Sequence, residues 1–234
     1  MTLVRGLKIL VTGIVFIGSL ATSKPADALA ITLSDGASTI NVGDNGFGDI
    51  NPLSGIITVT GAFGAFDINV ITGLSSPVLG SSTQPTMDLS QVSVNYYGGS
   101  GSLTVSLSDN NFSLSQLGPA VLTSQIGGTY LNSSVSASTG LDFGNALFGS
   151  ADVVASNSTY GGLLGSFSND ASSGFNYTGG TFSLTQTVNL TLGSPGSASF
   201  DLQSTVSTVP EPASVMLLGL GLTGLVAFSC RKLS

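Results

Sequence analysis

The chain has 234 residues, a formal net charge of −7, 41% hydrophobic residues and only 7% charged ones. Between residues 31 and 208 every charged residue is an Asp, ten in all, and this stretch holds no Lys, Arg, Glu, His, Cys or Trp. Such a surface repels nucleic acid and anionic lipid, which call for basic patches, and the hydrophobic content is too high for a disordered chain.

The first 30 residues read as a secretory signal peptide. Arg5 and Lys8 precede an apolar core, Ile9 to Leu20, and small residues follow as far as Ala28-Leu29-Ala30. A positive start, a short apolar core and an A-x-A site are the marks of a cleaved leader. Cleavage after Ala30 is the first expectation and cleavage after Ala28, which also follows A-x-A, the second. The expected domains are a leader at 1–30, an exported domain at 31–208 and a tail at 209–234.

The exported domain is expected to be all-β, a β-sandwich or jelly-roll-like fold. Short strands are expected near 31–42. Asp44-Asn45-Gly46-Phe47-Gly48-Asp49-Ile50-Asn51 follows, and it is the best candidate metal site. Calcium takes several hard oxygens, which Asp44, Asn45, Asp49 and Asn51 are able to offer, while Gly46 and Gly48 let the backbone curve. The spacing is not that of an EF-hand, and an ordinary turn built from Asp, Asn and Gly, which readily adopt unusual backbone angles, is the simpler reading. No other cofactor is expected. Asp109-Asn110-Asn111 is a weaker candidate of the same kind.

Ile57 and Val59, then Phe66, Ile68 and Val70, alternate on either side of Gly61–Ala65 and predict a hairpin. Val92, Val94 and Tyr96 alternate before Gly98–Gly101, and Leu103, Val105 and Leu107 after it, which predicts a second. Of Tyr96 and Tyr97, the alternation turns one ring to the core and one to solvent, where it would offer a platform to a sugar. Residues 114–126 show no clear pattern and are expected to be a short helix or a long loop. Further strands are expected near 129–137, 150–155 and 162–168. Phe182, Leu184, Val188, Leu190 and Leu192 occupy even positions, as do Ala198, Phe200, Leu202 and Val206, with Gln186 the polar exception. Gly193-Ser194-Pro195-Gly196 between the runs predicts a third hairpin.

The absence of His, Cys, Lys, Arg and Glu from 31–208 removes Ser-His-Asp and Cys-His nucleophiles, Schiff-base lysines and His/Cys zinc sites. The chain is therefore expected not to be an enzyme, a pair of Asp acting on a polysaccharide being the remaining catalytic option. A binding module for calcium or glycans is the alternative to a structural role.

The tail begins Val209-Pro210-Glu211-Pro212. Ala213 to Cys230 carries no charge, and at about 1.5 Å per residue a helix of that length spans about 27 Å, near the thickness of a bilayer's hydrocarbon layer. Arg231 and Lys232 follow, and the positive-inside rule sets them in the cytoplasm. Gly219, Gly221 and Gly224 match G-x-G-x-x-G, but no βαβ unit surrounds them, so no dinucleotide site is expected.

Pro210-Glu211-Pro212, the apolar run 213–230 and the closing Arg231-Lys232 resemble the PEP-CTERM sorting signal of bacterial envelope proteins. The resemblance implies recognition by an exosortase-like sorting enzyme and a single transmembrane helix with its C-terminus in the cytoplasm before processing. It also implies delivery to the cell surface or to exopolysaccharide of the extracellular matrix and biofilm.

Overall fold

The structure is a computed structural model that describes residues 29–209 and Thr223. Ten strands run in chain order: β1 (Ala30–Ser34), β2 (Thr39–Gly43), β3 (Ile56–Phe63), β4 (Phe66–Leu74), β5 (Thr86–Tyr96), β6 (Gly101–Phe112), β7 (Gly118–Asp142), β8 (Val153–Ser156), β9 (Tyr160–Tyr177) and β10 (Phe182–Thr208). All pairings are antiparallel. Hydrogen bonding gives the order β2-β1-β6-β10-β5-β4-β3, with β7 on the other side of β10 and carrying β8 and β9.

β10 organises the molecule. Its first arm, Phe182–Leu192, lies between β6 and the second half of β7; its second arm, from Gly196 onward, lies between β5 and the first half of β7. The strand bends at Gly193–Gly196, and the two arms lie in two facing layers. One layer holds β3, β4, β5, the first half of β7 and most of β9; the other holds β1, β2, β6, β8 and the second half of β7. A Cβ on Gly73 of β4 would collide with Leu107 of β6 and touch Ile31 of β1, so the layers meet face to face. The all-β sandwich expected from the alternation is thus the fold found.

The bend is stitched by side chains. Asn132 sits at φ 45° in β7 and its Nδ2 donates to the Pro195 carbonyl at 3.0 Å. Ser133 Oγ donates to the Ser197 carbonyl at 2.9 Å and Ser194 Oγ to the Tyr97 carbonyl at 3.3 Å. The Pro195 and Tyr97 carbonyls lie outside the strand pairing, and these bonds satisfy them.

The core follows the period of two. Phe182, Leu184, Val188, Leu190, Leu192, Ala198, Phe200, Leu202 and Val206 are all buried, as are Ile31, Leu33, Met87, Leu89, Leu103 and Leu107 from other strands. Each such large side chain contributes about 1.5–3 kcal/mol by leaving water. Gln186 is buried with them and spans the layers. Its Nε2 donates to the Leu202 carbonyl at 2.8 Å and to Ser204 Oγ at 2.9 Å. The network runs on from Ser204 to Thr139 at 2.6 Å, to Ser124 at 3.0 Å and to Asn157 at 2.9 Å.

Three sequence expectations change. The runs 182–192 and 198–206 do not pair with each other; they are one bent strand, which explains why both keep even parity across Gly193–Gly196. β5 and β6 likewise do not pair across Gly98–Gly101 but lie end to end along β10. Residues 118–126 are the first half of β7, not a helix or loop, because the buried set Ala120, Leu122, Ser124, Ile126 contains a serine that masks the apolar alternation. The hairpin of β3 and β4 forms as expected, closing between Phe63 and Phe66 with Gly64 at φ 58°.

Candidate functional site

The β2–β3 loop holds Asp44, Asn45, Asp49 and Asn51, and oxygens of Asp44, Asp49 and Asn51 accept from nearby backbone amides, while the Asn45 amide group donates to Asp44 Oδ1 and Ser54 Oγ. Asp44 Oδ2 accepts from the Gly55 amide at 2.7 Å. Asp49 Oδ1 accepts from the Asn51 amide at 2.8 Å and the Thr58 amide at 2.9 Å, and its Oδ2 from the Asn45 amide at 3.0 Å. Asn51 Oδ1 accepts from the Leu53 amide at 3.0 Å. These are the bonds of a turn. Among the described residues no group of three or more His, Cys, Asp or Glu is placed to hold a metal ion. Calcium wants oxygens converging on one point; here the Asp44 and Asp49 carboxylates each accept from backbone amides of the turn. Asp109 is buried beside this loop and accepts from Ser75 Oγ; burial first, and the Asp44 charge in addition, push its carboxyl up against the pull of its hydrogen bonds.

The two tyrosines divide as the alternation predicts. Tyr96 is in the core against Phe66, ring centroids 4.7 Å apart, while Tyr97 is 71% exposed at the bend.

A feature with no mark in the sequence lies on the outer face of the layer that contains β5. Asp88 and Gln91 of β5, Asp201 and Gln203 of β10, Gln125 of β7 and Asp170 of β9 line an open groove of about 550 Å³. These residues are far apart in the chain, and only the pairing of four neighbouring strands brings them together. A bulge shapes the floor: Asp201 stands opposite both Ser90 and Gln91, Gln91 adopts φ 52°, and its amide donates to Asp201 Oδ1 at 2.6 Å. Non-glycine residues rarely take such angles, and bulges of this kind re-aim side chains. Asp88 Oδ1 is buried without a hydrogen-bond partner. Burial, with the Asp201 charge behind it, pushes the Asp88 carboxyl up to about 6. Carboxylates, amides and hydroxyls in a row suit a polyhydroxylated ligand held by hydrogen bonds; no aromatic ring lines the groove.

The domain ends at the tail with no spacer. β10 stops at Thr208, and the Val209 amide still donates to the Pro119 carbonyl at 2.8 Å. At the other terminus Ala30 lies inside β1, paired with Gly43 and Ser108, and the Leu29 carbonyl accepts from the Asp44 amide at 3.0 Å. Ala28, the sorting residues Pro210, Glu211 and Pro212, the run 213–230, and Arg231 and Lys232 lie outside the described residues, Thr223 excepted. Among the described residues no helix is long and apolar enough to cross a membrane.

Fold and tail together define the class: a β-sandwich domain joined directly to a sorting signal. The PEP-CTERM protein-sorting motif matches residues 208–232, so the chain carries a PEP-CTERM sorting signal. A search of curated proteins finds no match. Among solved structures the chain is similar to TmCBM61 in complex with β-1,4-galactotriose, at 11% identity, covering 69% of this chain and 92% of that one with a TM-score of 0.27. It is similar to a carbohydrate-binding module from the β-sandwich super family, at 9% identity, 74% and 70% coverage and a TM-score of 0.30. A cyclase from Fischerella sp. TAU is similar at 12% identity, with 55% and 78% coverage and a TM-score of 0.24. These likenesses are too distant to bear on ligand or activity.

Proposed function

We propose that this protein is an exported structural or adhesive component of the cell envelope or extracellular matrix. The observation that carries the proposal is the sorting motif at 208–232, set directly against the last strand of the sandwich. In this reading residues 213–230 hold the chain in the membrane, Arg231 and Lys232 stay in the cytoplasm, and an exosortase-like enzyme processes the tail. The domain delivered is not an enzyme in this reading, since the nucleophile and base pairs of common hydrolases need residue types it lacks. Deleting Pro210 to Ser234 is expected to move the protein from the envelope fraction to the medium. Identical fractionation of the full and truncated chains would remove the proposal's basis.

The outer groove favours a second reading, a module that binds polysaccharide through Asp88, Gln125 and Gln203. A glycan array separates the two: a structural component gives no saturable binding, whereas the second reading requires it. Release of reducing ends from any polysaccharide would overturn the non-catalytic reading, with Asp88 and Asp201 the first residues to replace.

A further inference from the structure

The two ends of the domain differ in what leaves them. A chain of contacts places both chain exits and three loops at the end opposite the bend. The Leu29 carbonyl meets Asp44, Asp44 meets Gly55, and the Gly55 carbonyl takes the Ser75 amide. Ser75 meets Asp109, the Ser82 carbonyl takes the Ser113 amide, and Pro119 holds Val209. The tips of these loops are apolar and exposed: Phe47 is fully in solvent, and Ile50, Leu53 and Leu117 are each more than half exposed, with Val209 beside the exit. The bend has its own exposed pair, Leu163 and Leu164, but no chain leaves there.

We infer that this loop end is a membrane-facing surface, with Phe47, Ile50, Leu53 and Leu117 seated in the headgroup layer of a bilayer. The inference rests on the reading that residues 213–230 span the membrane, and it follows from reach. Only Pro210, Glu211 and Pro212 separate Val209 from Ala213. Four extended steps cover at most about 14 Å, while the headgroup region is itself about 5–8 Å deep on each side. The chain exit therefore stands at most about 6–9 Å clear of the headgroup layer, close enough for the loop tips beside it to reach that layer. Apolar and aromatic tips are the side chains that favour this interfacial layer, into which they sink about 5–10 Å. The carboxylates at this end are turned into the loops: Asp49 accepts from the Thr58 amide, Asp142 from the Gly144 amide and Asp152 from the Phe143 amide. With no cation between 31 and 208, the surface suits zwitterionic and not anionic lipid.

The test uses the mature chain, Leu29 to Ser234, with Cys230→Ser, which removes its only cysteine. Single cysteines are introduced as Phe47→Cys or, at the bend, Tyr97→Cys, and labelled with an environment-sensitive dye. The protein is reconstituted in phosphatidylcholine vesicles that carry a headgroup-depth quencher. An arm of ten or so residues at about 3.3 Å each puts the bend some 35 Å from the surface. The expected result is co-flotation with the vesicles and quenching several-fold stronger at position 47 than at 97. Co-flotation with equal or no quenching at the two positions overturns the inference while leaving the anchor intact. Self-quenching at position 47 without lipid assigns the surface to a second copy and also overturns it. Failure to float overturns the anchor and the inference together.

Discussion

Asp88 keeps one carboxyl oxygen buried without a partner at the floor of the outer groove. Its carboxyl, raised to about 6 from an ordinary 3.8 by burial and then by Asp201, binds its proton more tightly in the folded chain than in the unfolded one. Its contribution to stability is present in full below the unfolded value and is lost as pH rises through about 6. Asp109 is shifted in the same direction. Asp35, lowered by the amides of Ser38 and Ala37, works in the opposite sense and loses its contribution as pH falls. Thermal melting followed between about pH 5 and about pH 7.5 is expected to show the midpoint falling with pH, and Asp88→Asn to flatten that fall. An unchanged slope in the variant would contradict the assignment. Gln186 is the other residue whose environment decides its role. Gln186→Ala removes three core hydrogen bonds, to the Met87 and Leu202 carbonyls and to Ser204, and leaves a cavity, and is expected to cost about 2–4 kcal/mol in urea unfolding. A loss well under 1 kcal/mol would show that the network contributes little.

At the scale of the element, alternation reports which face a residue takes but not which strand it pairs with. Gly193–Gly196 and Gly98–Gly101 have turn composition, and a bend between layers needs the same permissive residues as a hairpin. Even parity on both sides of Gly193 was the legible sign of one continuous strand. The polar positions Gln186, Ser124 and Thr139 hid part of the pattern, because a hydrogen-bonded network lets polar side chains occupy core positions. β1 bears on the leader. A cut after Ala30 strips a buried residue from β1 and the Leu29 carbonyl from Asp44, whereas a cut after Ala28 leaves both in place. The expected mature N-terminus is Leu29, read by terminal sequencing; Ile31 would refute it.

At the scale of the whole molecule, β10 ends at Thr208 and the Val209 amide closes on the Pro119 carbonyl, so the paired strands finish before Pro210. With the buried core drawn from strands between Leu29 and Val206, removing residues 210–234 is expected to leave the melting midpoint of the exported domain within about 2 °C, a change worth at most about 1 kcal/mol for a domain this size. A large drop would mean that the tail is part of the fold and not only a means of delivery. Burial and hydrogen bonding alone must hold the domain, since its stretch of sequence contains no cysteine.

The sorting tail, the acidic cation-free domain and the all-β class were determined by the sequence itself, because each depends on residue types and local spacing. Charge, apolar run length and period-two alternation survive in one dimension. The two-layer bend of β10, the groove of Asp88, Gln125, Asp170 and Asp201, and the turn-making role of Asp44 and Asp49 were decided only by the tertiary structure. Each is a relation between residues tens of positions apart, or a choice of hydrogen-bond partner that composition leaves open. A strand's register, once set by its neighbours, determines which polar side chains share a face.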